Sequence, residues 1–183
     1  MQPGILYDPS RQPLYRATYA ASTNGVVNTA TAANTVTSIA YLFHPSSNAK
    51  RVEILQIGLS YEGNAGNNGL SFRGARITAE NGTPGGTTQT VNALDQDDAA
   101  STLTFLTGAT GAPTRATGDY LSIAAIGGSA AQAYLSMFDA KQLGKPIVLR
   151  ASQNEGFEIR SVIGGSNIAS AVSVGVHFIW TEI

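Results

Sequence analysis

The chain has 183 residues, 43% of them hydrophobic, which suffices for one domain with its own core and is too apolar for a disordered tail. Charged residues make up 13%, near half the ~25% of an ordinary soluble domain, and the formal net charge is −1. With no basic excess and no basic run, a generic phosphate-backbone binder is excluded. Cysteine is absent, which removes disulfide frameworks, thiolate metal sites and cysteine nucleophiles together. No apolar run approaches the ~20 residues of a membrane-spanning helix. The opening Met1-Gln2-Pro3-Gly4 lacks the charged and apolar regions of a signal peptide.

Residues 1–24 read as an extended N-terminal arm, because Pro3, Pro9 and Pro13 forbid a helix there. Two readings stay open. The stretch is either a terminus ending in an edge strand, or an arm that docks on a partner through Tyr7, Arg11, Tyr15, Arg16 and Tyr19. Residues 25–183 then form a single β domain, strand after strand.

Ile39-Ala40-Tyr41-Leu42-Phe43 is stopped by the turn cluster His44-Pro45-Ser46-Ser47-Asn48, which makes His44 an exposed tip. In 51–61, Val52 and Ile54 alternate, then the phase slips to Ile57, Leu59 and Tyr61. A slip of that kind implies a β-bulge or burial on both faces. Residues 62–69 hold turn formers. Leu70 and Phe72 open the next strand, with a phase change at Gly74. Residues 87–91 are a polar edge-strand candidate, Leu103 and Phe105 alternate with threonines, and 108–118 read as a long loop. Residues 127–143 also fit a helical stripe through Tyr134, Leu135 and Phe138, although strand is preferred. Strands at 146–151, 157–163 and 169–183 complete the chain. In the last, Val172, Val174, Val176, Phe178 and Trp180 share one face, the pattern of a half-buried antiparallel strand. The fold expected is all-β: a jelly-roll-like antiparallel sandwich or barrel.

The inventory for chemistry is thin, and the chain reads as a non-enzyme without cofactor or metal. His177 lies opposite the Val/Phe/Trp stripe and, with Ile179, reads as an oligomer-interface pair: an exposed Ile beside a strand glycine wants cover. Composition does not exclude a hydrolytic triad, but no Gly-x-Ser-x-Gly elbow occurs. Asp95, Asp97 and Asp98 cluster, yet their spacing fits a solvated loop or helix cap better than a calcium loop. Gly144-Lys145 misses a phosphate loop, with Asp139 and Pro146 where glycine and Ser/Thr belong. Asn81-Gly82-Thr83 matches a glycosylation sequon and is equally a turn.

The order Tyr41-Leu42-Phe43-His44-Pro45-Ser46-Ser47-Asn48-Ala49-Lys50-Arg51-Val52-Glu53-Ile54-Leu55, then Arg76-Ile77-Thr78-Ala79, then Gly144-Lys145-Pro146-Ile147-Val148-Leu149-Arg150 with Trp180-Thr181-Glu182 at the end, resembles small β-rich virion proteins of tailed bacteriophages. The resemblance spans about residues 39–183 and is one of style and spacing, without a diagnostic motif. It implies a capsid decoration (cement) protein: often a jelly roll, often a homotrimer, bound to the major capsid protein on the virion exterior and made in the host cytoplasm. Neither nucleic acid nor membrane is an expected partner. The alternative is a tail-tip or fibre binding module, with host glycans as its candidate ligand; a small hydrolase is the weakest reading.

Overall fold

A computed structural model of the chain describes residues 17–23, 26–28, 32–62, 70–79, 87–107, 113–116, 118, 120–124, 133–164 and 172–183. Most of them are strand, and the one helix among them is a single turn. In chain order these are β1 (Ala17–Ser22), β2 (Val26–Asn28), β3 (Val36–His44), β4 (Val52–Glu62), β5 (Leu70–Ala79), β6 (Thr87–Thr88) and β7 (Asn92–Ala93). Then come β8 (Thr104–Thr107), β9 (Thr114–Arg115), β10 (Leu121–Ala124), β11 (Ala133–Asp139), the short helix α1 (Ala140–Leu143), β12 (Ile147–Leu149), β13 (Glu155–Ile163) and β14 (Val172–Glu182).

Two antiparallel sheets pack face to face. The first runs β11-β4-β14-β1-β7, with β12 also beside β4 and β2 also beside β14. The second runs β10-β5-β13-β3-β8-β6, with β9 also beside β5. The longer strands nest: β1 pairs with β14, β3 with β13, β4 with β11 and β5 with β10. That is the pairing of one antiparallel ribbon rolled up on itself, consistent with the jelly-roll-like expectation. The stretch between β5 and β10 supplies the short strands β6 to β9, which extend both sheets.

The core forms where the alternation of β14 requires it. Val174, Val176, Phe178 and Trp180 are all buried, and Phe178 meets Phe105 of the second sheet edge-on at 5.6 Å between ring centroids. The phase slip in β4 is a bulge: Ile54 opposes Trp180 and Gln56 opposes Ile179, so Leu55 is the extra residue. The bulge lets Val52 and Ile54 before it, and Ile57 and Leu59 after it, enter the same core. The helical alternative for 127–143 gives way to strand over Ala133–Asp139, followed by one helical turn. Asp139 caps that turn by accepting from the Lys141 amide at 2.8 Å, and Gly144 ends it at φ 77°, in the left-handed region that glycine enters without strain.

The second sheet also has a buried outer face. Tyr41, Phe43, Ile77 and Leu106 form an apolar cluster there, apart from the main core. Gly156 permits it, because a Cβ at that position would lie 2.5 Å from the Leu42 carbonyl oxygen and 2.6 Å from Ile77. Beside the cluster sits Glu158, fully buried and flanked across the strands by Tyr41 and Ala75. Arg115 of β9 reaches it with a forked pair, Nε at 2.5 Å and Nη2 at 2.8 Å from the two carboxylate oxygens. A buried carboxylate needs such a partner, since its desolvation is otherwise uncompensated.

The arm boundary needs correction. From Ala17 onward the chain is not an arm but β1, hydrogen-bonded to β14 on one side and β7 on the other. Tyr19 is therefore a core residue with no exposed surface, and its ring is not offered to a partner. The physical reason is its register: Tyr19 stands opposite Trp180, on the core-facing side of the sheet.

Candidate functional site

The polar groups converge at the end of the sandwich where β1 begins and β14 finishes. Ala17 pairs with Glu182 there, so any segment preceding Ala17 joins the domain at this point. The alternation of β14 puts Glu182 on the same face as Phe178 and Trp180, which turns a carboxylate inward. Burial alone would raise its proton affinity. Hydrogen bonds outweigh that: Ser101 Oγ donates at 2.5 Å, Thr102 Oγ1 at 2.7 Å, and the Thr102 amide and Trp180 Nε1 add longer bonds. The net effect holds the Glu182 carboxyl below its ordinary pKa. Lys50 Nζ lies 3.3 Å from the carboxylate, and Asn48 Nδ2 donates to Thr102 Oγ1 behind it.

Tyr19 completes this anchor. Its ring stacks on Trp180 at 5.9 Å between centroids, and its hydroxyl donates to the Ala99 carbonyl at 2.8 Å. Burial raises the Tyr19 pKa, with the Glu182 and Asp98 carboxylates adding to the effect. Every oxygen of Glu182 is thus taken up in tying β1, β14, the 48–50 turn and the 99–102 loop together. The arrangement fixes the root of β1.

A second polar group lies next to it, where β13 starts. Glu155 bonds the Arg150 amide at 2.7 Å and the Arg150 guanidinium, and Arg76 Nη1 stands 4.0 Å away. Burial would raise the Glu155 carboxyl, yet the Arg150 hydrogen bonds and the two positive charges bring it below its ordinary value. Arg76 also lies over the exposed ring of Tyr120, 5.5 Å from its centroid, and donates to the Val148 carbonyl at 2.8 Å.

Of the residues singled out from the sequence, Tyr7, Arg11, Tyr15 and Arg16 lie outside the described residues, as do Asn81, Gly82 and Thr83. His177 and Ile179 are on the outer face of the first sheet, half-buried; Gly58 and Ser22 flank His177, and Gln56 and Ala20 flank Ile179. Burial lowers the His177 pKa. Asp95, Asp97 and Asp98 form a turn, in which Asp95 accepts from the Asp97 amide at 3.0 Å and its carbonyl from the Asp98 amide at 3.2 Å. Among the described residues no three His, Asp or Glu side chains gather as metal ligands would. His44 is corrected: it is fully buried rather than an exposed tip, because the turn before β13 covers it.

Sequence reasoning missed Glu182, Ser101 and Thr102, and also Glu158 with Arg115. For Glu182 a signal existed, since its parity places it on the Val/Phe/Trp face of β14. For Glu158 the signal was weaker, an acid between Phe157 and Ile159. No family model matches this chain, and no curated protein matches it.

Proposed function

We propose that this protein is a structural component of a tailed-phage virion, a capsid decoration (cement) protein that bridges and stabilises coat subunits on the outside of the shell. Its partners are the major capsid protein and further copies of itself in a homotrimer, and its role is mechanical rather than catalytic. One observation carries the reading. The chain enters the domain through a strand hydrogen-bonded on both sides, pegged by Tyr19 against Trp180 and closed by the Glu182 network. A tether attached there passes load into the six-residue pairing of β1 with β14, one strand in from the sheet edge formed by the two-residue β7. Tyr7, Arg11, Tyr15 and Arg16 precede that root and are the groups assigned to hold coat subunits, Arg by forked bonds to carboxylates and Tyr by ring burial.

His177 and Ile179 are the assigned trimer contacts. They rise from an uncharged neighbourhood of the first sheet, the small Gly58, Ser22 and Ala20 with Gln56, which allows close approach with little side-chain entropy to lose.

The test uses shells of the phage that encodes the protein, prepared without it. The full chain is expected to co-sediment with them, and a chain beginning at Ala17 to melt within a few degrees of the full chain but stay in the supernatant. Antibody-gold on intact virions should decorate the whole shell. Labelling confined to the tail tip overturns the capsid assignment in favour of a tail module, and co-sedimentation of the shortened chain overturns the arm.

A further inference from the structure

His44 closes β3 and is entirely buried, with both ring nitrogens facing backbone carbonyl oxygens: Nδ1 lies 3.1 Å from the Gln153 oxygen and Nε2 2.7 Å from the Lys50 oxygen. A carbonyl oxygen can only accept. A neutral imidazole has one N–H and one lone pair, so in either tautomer it turns a lone pair towards one of the two oxygens. Only the imidazolium, with a donor at each nitrogen, satisfies both contacts, and it does so with charge-assisted bonds.

We propose that His44 is held in the folded protein as the doubly protonated imidazolium, a buried cation whose two N–H groups clamp the 45–51 turn to the 152–154 turn. The two turns are joined at further points around it. The Ser46 amide donates to Asn154 Oδ1 at 2.8 Å, and the Ser152 amide to the Asn48 carbonyl at 2.8 Å. The 45–51 turn is braced internally, by the Asn48 amide on the Pro45 carbonyl and the Lys50 amide on Asn48 Oδ1.

The surrounding charges tolerate this cation. Glu155 stands directly opposite His44 on β13, bonded to Arg150 with Arg76 behind it. On the other side, Lys50 is paired with Glu182 and Arg51 with Glu53 at 2.8 Å. Three carboxylates thus stand among these four cations, Glu155 being shared by Arg150 and Arg76, and the field at the ring is not that of a bare basic cluster. The clamp lies beside the Glu182 network, because Asn48 and Lys50 belong to both.

Two histidines make the experiment direct. The full chain is labelled with 15N-histidine and its ring nitrogens recorded at pH 7.5, the His177→Ala variant assigning the two sets of signals. The expectation is two protonated-type nitrogens for His44 and a neutral tautomer for His177. A His44 spectrum with one protonated and one lone-pair nitrogen overturns the proposal. A second measurement needs no His44 variant. Unfolding the His177→Ala protein at pH 7.5 should release close to one proton, because an unfolded histidine, with a pKa of about 6.5, is mostly neutral there. Calorimetry in buffers of different ionisation enthalpy counts that proton, and a count near zero overturns the clamp as well.

Discussion

The two outer faces of the sandwich differ in kind. On the second sheet, Tyr41, Phe43, Ile77 and Leu106 are buried in a cluster of their own, and Glu158 is sunk beside them in the grip of Arg115. On the first sheet, Ser22, Ser60 and Ser136 are exposed around half-buried His177 and Ile179. The contrast follows from where the chain spends its insertion. Strand β9, from the stretch between β5 and β10, widens the second sheet beside β5 and brings Arg115 to the Glu158 carboxylate. The first face keeps small, uncharged groups around His177 and Ile179, with the Arg51–Glu53 ion pair farther along it, and in the reading proposed above that small-residue patch meets another surface.

This contrast can be broken by substitution. The largest effect belongs to neither face but to the core between them: Val176→Asp would bury an unpaired charge opposite Leu59 and is expected to prevent folding, read as loss of the β-type circular dichroism signal. Next is Arg115→Ala, which strands the Glu158 carboxylate and should cost about 3–5 kcal/mol by urea denaturation. Replacing both, Arg115→Met with Glu158→Leu, should recover most of that loss, whereas an exposed pair would have contributed little in the first place. Tyr19→Phe removes the hydroxyl bonded to Ala99 and keeps the stack on Trp180, for an expected loss of about 1 kcal/mol. The smallest effect is on the open face: Ser60→Lys or Ser136→Lys should change stability by no more than about 0.5 kcal/mol, and a larger loss would mean that this face is already covered.

Acid titration sharpens the picture at the arm root. The Glu182 carboxyl is held below its ordinary value, so its stabilising contribution is present above the normal carboxylate range, about pH 4.3, and is lost as pH falls through the folded-state value. The melting temperature should therefore be flat from pH 7 to about pH 5 and drop steeply below about pH 4. Removing the donors, with Ser101→Ala and Thr102→Val, leaves burial as the dominant influence, lifts the folded-state value of Glu182, and should lower stability at pH 7 while flattening or reversing this carboxyl's share of the acid drop.

How far the sequence carried depends on the range of the contact involved. The period of two in β14 placed Val174, Val176, Phe178 and Trp180 correctly because strand parity is a local property, and the bulge at Leu55 was visible as a slip of phase for the same reason. The burial of His44 was not legible. Its neighbours are turn formers, and what covers it arrives from Gln153, 109 residues away. Likewise Arg115 and Glu158 are 43 residues apart, so neither flank shows that one needs the other. Tyr19 was read as a contact residue because its prolines and tyrosines upstream resemble a tether; its strand identity depends on β14, at the far end of the chain.

The rolled-up pairing also dictates the order in which the molecule can come together. Thr23 and the Val176 amide, joined by a hydrogen bond, are 153 residues apart, and β1 meets its partner only when β14 exists. During synthesis at about 5–20 residues per second, Tyr19 and the rest of β1 wait on the order of ten seconds for β14, with only the two residues of β7 to pair with before then. Hairpin-like neighbours such as β3 and β4 cannot shelter it, since they lie in different sheets. Folding is expected to be slow, on the millisecond-to-second scale of chains dominated by distant pairings, with closure of β1 against β14 as the late step. A nascent chain that low in charge has little electrostatic repulsion to keep it from its neighbours on the same message, so crowding on the polysome is the hazard this topology creates.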